Sequence, residues 1–278
     1  MDLHLVPLIE TALREDIGPG DITTDALVPA EALGQGIILA KEPLVLAGLE
    51  LAARVFTYLD PRAVCRTGCR DGEAVVPGTT VLTVDGHLRA LLKAERTALN
   101  FLQHLSGIAT LTRDWVETLQ GTRARLVDTR KTTPGLRMLE KYAVRMGGGH
   151  NHRFGLYDGI LIKDNHIIAC GGITEAVRRA RQHNHHLVRI EVETSTLDEV
   201  AEALAAGVEV IMLDNMDLPR IREAVGRING RAAVEVSGSV DRGRLREIAE
   251  AGADIISAGF LTHSVRAVDL SMRITAGA

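Results

Sequence analysis

Apolar residues follow two different rhythms along the chain, and the change comes near residue 108. Before it, the pattern predicts a short helix over Val6–Asp16, followed by EDIGPGDITTD, whose Gly, Pro and Asp mark a turn. Strand patterns follow at Gly36–Ala40, Val45–Ala47, Val64–Arg66, Ala74–Val76 and Thr80–Val84. A long helix is predicted from about Leu88 to Ser106, because leucines at 88, 91, 92, 99, 102 and 105 keep the spacing of one buried face. Strands first and a helix to one side describe an α+β unit.

From Arg125 onward the pattern alternates strand and helix. Apolar runs lie at Leu126–Asp128, Gly159–Lys163, Val188–Val192, Val208–Leu213, Ala232–Val236 and Asp254–Ser257. Amphipathic helices such as Thr196–Ala206, Leu218–Ile228 and Arg242–Ala251 separate most of them. EALAAGVEVIMLDN and EIAEAGADIISAGF echo each other as helix, Ala-Gly, acidic residue, apolar strand. Nearly continuous apolar strands in short βα units predict a parallel sheet. Six or seven such units in about 150 residues favour a (β/α) barrel over an open sheet.

Composition narrows the function. The chain has 278 residues, 46% apolar and 24% charged, enough for a sizeable core. Only 3% is aromatic and the net charge is −4, which argues against a nucleic-acid-binding surface. The start, MDLHLVPLIETALREDIG, does not read as a signal peptide, and no run of eighteen apolar residues predicts a membrane span. A cytoplasmic location is therefore expected. Cys65, Cys69 and Cys170 read as free thiols, since no second pair completes a zinc site.

Charge is unevenly spread. Residues 128–166, DTRKTTPGLRMLEKYAVRMGGGHNHRFGLYDGILIKDNH, carry seven Lys/Arg against four Asp/Glu, so 7 − 4 = +3 and the rest of the chain sums to −7. A basic island in an acidic chain suits a multiply anionic small ligand. In a parallel barrel the strand C-termini carry the site. The successive strands end in Asp128-Thr129-Arg130-Lys131, Lys163-Asp164-Asn165-His166, Glu191-Val192-Glu193, Asp214-Asn215, Ser237-Gly238-Ser239 and Ser257-Ala258-Gly259.

Arg130 and Arg153 offer planar forks for carboxylates, and Lys131 and Lys163 offer point charges for phosphate or a developing anion. Carboxylates on the third and fourth strands suit Mg²⁺. The Gly-bearing turns after the fifth and sixth strands leave N–H groups for a phosphate. Such a rim fits transfer between a polycarboxylate and a phosphorylated sugar.

These motifs resemble the quinolinate phosphoribosyltransferase family over nearly the whole chain: EDIGPGDITTD, ERTALNFLQHLSGIATLT, the long island, EVE, IMLDN and AGADIISAGFLTHS. A molybdate-transport-associated family, the alternative non-catalytic anion-binding reading, is similar in the RKT-PG and Gly-rich segments but differs at KDNH. The resemblance implies an N-terminal α/β sandwich over 1–108, rejoined by the tail 266–278, and an incomplete seven-stranded α/β barrel over 109–265. It implies a pentosyltransferase that makes nicotinate mononucleotide from quinolinate and phosphoribosyl pyrophosphate, releasing CO₂ and pyrophosphate.

By motif position, Arg130, His152, Arg153 and Lys163 would hold the quinolinate carboxylates. Arg96 would come from the other subunit of a homodimer, with hexamers as an open further assembly. Lys131, Glu193 and Asp214 would attend phosphoribosyl pyrophosphate and its Mg²⁺. Thr129 and the turns Ser237–Ser239 and Gly259–Leu261, which include Gly238 and Phe260, would complete the site. Ser239 stands where the family usually has Gly, a cost in backbone freedom if φ is positive there.

Arg96 lies on the edge of the leucine stripe, where periodicity alone suggests a surface ion pair. His183-Asn184-His185-His186 reads as a solvated loop. His150 and His152 read as anion ligands, because Arg153 would repel a metal. Gly147-Gly148-Gly149 reads equally as a phosphate cradle or a helix end.

Overall fold

A computed structural model describes residues 2–276. The chain forms two compact units. The first takes the residues up to Leu111, Pro134–Gly148 and the chain from Ser264; the second takes Thr112–Thr133 and Gly149–His263.

In the first unit the strands are β1 (Leu33–Ala40), β2 (Leu44–Val45), β3 (Val64–Arg66), β4 (Ala74–Val75) and β5 (Thr80–His87). Its main sheet is antiparallel, in the order C-terminal strand (Leu270–Ala276), β1, β5, β3. The C-terminal strand pairs with β1 along its whole length, from Gly34↔Ala276 to Ala40↔Leu270. Period-two alternation buries Ile38 and Ala40, while helix Leu49–Leu59 buries Val55 and Phe56.

Four elements differ from the sequence pattern, one of them helix Leu49–Leu59, which the pattern does not predict. The first helix spans Asp2–Ile17. Within the predicted turn EDIGPGDITTD lies a short helix, Ile22–Leu27, started by Asp21, whose carboxylate accepts the N–H groups of Thr23 and Thr24 at 3.1 and 2.9 Å. The long helix does not stop at Ser106 but runs from Leu88 to Thr118. The leucine spacing ends at Leu105, but the helix continues through Gly107, which packs closely: a Cβ there would sit 2.3 Å from the Arg266 carbonyl oxygen.

The second unit is built on β6 (Arg125–Val127), β7 (Ile160–Ile162), β8 (Ile190–Thr194), β9 (Val210–Asp214), β10 (Ala233–Ser237) and β11 (Ile255–Ser257). All pairs are parallel, in the order β6-β11-β10-β9-β8-β7. His150 forms one parallel bridge with Val127, standing where a seventh strand would begin. Among the described residues β6 and β7 do not pair, so the ring of strands is incomplete.

Two of the helices between the strands start at side-chain caps. Thr196 accepts the Glu199 N–H at 3.2 Å while Glu199 accepts the N–H groups of Ser195 and Thr196, a reciprocal box. Asp217 caps Leu218–Ile228 by accepting the Arg220 N–H at 3.0 Å. The predicted helix Arg242–Ala251 begins as a 3₁₀ turn, Arg242–Arg244, before the α-helix Leu245–Glu250. Val192, Ile211, Leu213, Leu245 and Ile256 form its dry core.

Candidate active site

Parallel register places the functional side chains. Glu193 lies beside Met212 and Met212 beside Glu235, while Asp214 lies beside Ser237. Residues two apart on a strand share a face, so Leu161 and Lys163, Met212 and Asp214, and Glu235 and Ser237 all look inward. They line one cavity of about 800 Å³, built entirely from the second unit.

One side of this cavity is cationic. Arg130, Lys131, Arg153 and Lys163 all line it. The Thr129 hydroxyl accepts the Lys131 N–H at 3.0 Å, and the Thr262 hydroxyl donates to the Lys131 carbonyl at 2.7 Å, fixing the turn after β6. Arg153 donates to the Gly159 carbonyl at 3.0 Å. Burial and the neighbouring Arg130 charge lower its affinity for its proton, while Glu191 and Asp158 oppose them. A guanidinium remains cationic under such a shift, and two crowded guanidinium groups await an anion. Lys163 follows β7 and is ion-paired with Glu193. Its N–H donates to His166 Nδ1 at 2.9 Å, so the KDNH run is the first turn of a helix.

The other side is a pair of turns. Gly238 has φ +84° and Ser239 φ +47°, so Ser239 occupies the left-handed region that a glycine would enter freely. A Cβ at 238 would lie 2.3 Å from Asn215 Oδ1. Asn215 is itself left-handed, φ +54°, and its amide donates to Asp214 at 2.8 Å. Asn215 thereby links the Asp214 carboxylate to the Gly238 turn. At the second turn, a Cβ on Gly259 would press on Lys131 and His263. Phe260 stacks on Trp115 with ring centroids 5.8 Å apart.

Beneath the cations sits a buried acidic pair. Glu191 and Glu235 are 8% and 2% exposed, and His152 Nε2 lies 3.1 Å from Glu191 Oε2 and 3.6 Å from Glu235 Oε1. Burial, and then the charge of Glu191, push the Glu235 carboxyl up to about 8. His152 Nδ1 accepts the Arg153 N–H at 2.7 Å. Both ring nitrogens of His152 therefore point at protein groups.

Thirteen of the residues singled out in the sequence line this cavity: Thr129, Arg130, Lys131, His152, Arg153, Lys163 and Glu193, then Asp214, Ser237, Gly238, Ser239, Gly259 and Phe260. Two others lie elsewhere. Leu261 is fully buried in the core, since apolar packing claims its side chain. Arg96 is exposed on the long helix of the first unit.

The basic island also divides. Arg137, Lys141 and Arg145 belong to helix Arg137–Met146, which counts with the first unit. There Tyr142 donates to Asp71 at 2.7 Å and His104 meets Glu140 at 2.8 Å. Gly147 closes that helix and Gly148 turns away at φ +93°. His183–His186 is exposed. The sequence names Asn215 at a strand end without giving it a role and does not single out Glu235 or His263, although the alternation E-V-S in β10 marks Glu235 as inward-facing once Ser237 is placed on the rim.

Four cations and two Gly-bearing turns on one rim of a parallel α/β sheet are the arrangement of an anion-handling α/β-barrel enzyme. Residues 21–106 match the family described as quinolinate phosphoribosyl transferase, N-terminal domain, and residues 108–273 match its C-terminal domain. The chain belongs to the quinolinate phosphoribosyltransferase family. It is 45% identical to the probable nicotinate-nucleotide pyrophosphorylase [carboxylating] of Bacillus subtilis, over 98% of this chain and 94% of that one. It is 42% identical to the chloroplastic nicotinate-nucleotide pyrophosphorylase [carboxylating] of Arabidopsis thaliana, over 97% and 82%. The crystal structure of NadC from Streptococcus pyogenes matches with a TM-score of 0.96 and 43% identity, over 100% of this chain and 99% of that one.

Proposed function

We propose that the chain transfers the phosphoribosyl group of phosphoribosyl pyrophosphate to quinolinate, with loss of CO₂, giving nicotinate mononucleotide and pyrophosphate for NAD synthesis. One observation carries this reading. Four cations of the basic island converge on a single cavity that also holds Glu193, Asp214 and the Gly238 turn.

In this reading Arg130, Arg153 and Lys163 hold the two quinolinate carboxylates, together with Arg96 of the partner subunit in a homodimer; His152, expected to join them, has both ring nitrogens turned to protein groups and serves from behind Arg153. Lys131 and the turns at Ser237–Ser239 and Gly259 hold phosphate. Held in line, the pyridine nitrogen forms a bond to the anomeric carbon while the bond to pyrophosphate breaks and its electron pair leaves with that group. The ring is then a pyridinium. When the adjacent carboxylate departs as CO₂, its bonding pair falls into this electron sink and a proton takes its place on carbon. Lys163, beside the departing group, and Arg130, clamping the carboxylate that stays, act by charge and position.

Glu193 and Asp214 are hard oxygen donors on neighbouring strands facing a phosphate-binding turn, so the donor set fits Mg²⁺. When bound, the ion would neutralise charge on the leaving pyrophosphate. In this reading the chemistry takes place in the cytoplasm. No helix among the described residues is long and apolar enough to cross a membrane.

The test is to incubate the protein with quinolinate, phosphoribosyl pyrophosphate and Mg²⁺ and to measure nicotinate mononucleotide and CO₂. Product from nicotinate but none from quinolinate would overturn the assignment. Lys163→Ala is expected to lower turnover by about 10²–10³-fold, and full turnover would remove Lys163 from its role.

A further inference from the structure

We propose that Glu191 and Glu235 are positioning residues for the carboxylate-binding side of the cavity: with His152 they form a buried hydrogen-bond chain that fixes the main chain at Arg153 and so aims its fork. The inference rests on the reading of Arg153 as a carboxylate ligand.

Arg153 lies in a loop without regular structure, so no sheet or helix holds its backbone. Side chains do so instead. The N–H groups of four consecutive residues, 152 to 155, are accepted in turn by Asp128 at 2.9 Å, His152 Nδ1 at 2.7 Å, and the two oxygens of Asp158 at 2.6 and 2.8 Å. The second of these bonds fixes Arg153 itself. It also fixes the histidine: a ring nitrogen that accepts carries no proton, so the neutral ring carries its proton on Nε2. That N–H faces Glu191 Oε2 at 3.1 Å.

Two consequences follow. The ligand atoms of His152, Glu191 and Glu235 lie within 4.8 Å of one another, a spacing that would admit a metal ion. A protonated Nε2 offers no lone pair, so the trio is not a metal site. The carboxylates, in turn, need a proton. Glu191 Oε1 and Glu235 Oε1 are both buried without a hydrogen-bond partner, which is costly for either oxygen. A proton on Glu235 removes one of the two buried charges and gives it a donor to offer Glu191, whose ligand atom lies within 4.8 Å, and burial beside Glu191 favours that form of Glu235.

The chain then runs from Glu235 to Glu191, to His152, to the Arg153 main chain. Its two acidic anchors stand on β10 and β8, with β9 between them, so an irregular loop is referred to the strands of the sheet.

The experiment compares wild type with Glu235→Gln, Glu235→Ala and Arg153→Ala, measuring KM separately for quinolinate and phosphoribosyl pyrophosphate, and thermal unfolding. Glutamine keeps a donor toward Glu191, so Glu235→Gln should stay within about threefold of wild type, whereas Glu235→Ala should raise the quinolinate KM about tenfold or more. The KM for phosphoribosyl pyrophosphate should move less than about twofold, because the phosphate turns are held by other contacts. If Glu235→Ala does not fold, Glu235→Met fills the volume without a donor and makes the same comparison.

A Glu235→Ala enzyme with an unchanged quinolinate KM, beside an Arg153→Ala enzyme whose KM rises, overturns the inference and leaves the site reading standing. Equal rises in both KM values overturn it too. An Arg153→Ala enzyme with unchanged quinolinate KM overturns the site reading on which it rests.

Discussion

Asp60 in the first unit and Glu235 in the second are 6% and 2% exposed, yet their carboxyls respond in opposite directions. Burial raises both. Around Asp60 it is outweighed by donors: His87 Nδ1 at 2.7 Å, the His87 N–H at 3.1 Å and the Arg62 N–H at 3.0 Å, which bring the carboxyl down to about 2. Glu235 meets a second carboxylate instead and is pushed up to about 8. Burial alone decides nothing; the donors aimed at the group decide. The backbone repeats the contrast. Among the described residues the non-glycine positions with positive φ, Asn215, Asn229 and Ser239, all lie in the second unit. So do the buried side-chain oxygens without a partner, on Thr112, Glu191, Glu235 and Ser257. Among the described residues the buried side-chain oxygens of the first unit all have partners, while four of the second unit's special positions, Asn215, Ser239, Glu235 and Ser257, line its cavity.

The contrast is sharpest at Asp60. Asp60→Asn sets an amide against donors and should lower stability by about 3 kcal/mol at neutral pH, read by denaturant unfolding. Its pH signature has a definite sign. The folded carboxyl titrates near 2, below its ordinary 3.8, so its stabilisation is complete above 3.8 and is lost as pH falls through about 2. Glu235 runs the other way: with the folded value raised from 4.5 to about 8, its contribution is complete below 4.5 and is lost as pH rises through about 8. Glu235→Gln should flatten that alkaline decline and leave the acid limb intact. If both variants change the same limb, the comparison between the units fails.

A smaller effect is expected at the strained turn. Gly238→Ala must hold φ +84° and displace the Asn215 amide from its place beside Asp214. We expect a loss of about 2 kcal/mol in stability together with a raised KM for phosphoribosyl pyrophosphate. Smallest is Ser239→Gly, which relieves φ +47° and should raise the melting temperature by the equivalent of less than about 1 kcal/mol. A fall in melting temperature would mean that the Ser239 side chain contributes more than its backbone costs.

Much of this was legible beforehand because local pattern and local structure coincide. The strand ends at Thr129–Lys131, Lys163, Glu193, Asp214 and Ser237–Ser239 could be placed on one rim, since each apolar run is short and ends in a polar group. The long helix runs past its predicted end because that end followed a leucine stripe that stops at Leu105, while Gly107, needed for close approach to Arg266, does not end it. Asp21 was hidden inside a run that reads as a turn, because a six-residue helix has too few positions to show a period. Leu261, named for its place in the turn after β11, has its side chain in the core, so what it presents to that turn is main chain.

The sequence by itself determined the two units' element types, the parallel strands and the residue types on the rim. Those depend on periodicity and on chemistry carried within a few positions. Only the tertiary structure decided which charges act together. It sent Arg137, Lys141 and Arg145 to the first unit and kept four cations at the cavity. It also brought Glu191 and Glu235 from β8 and β10 to the same buried histidine. Charge and protonation depend on distance through space, and residues 44 positions apart in the chain have no local signal that they will share a proton.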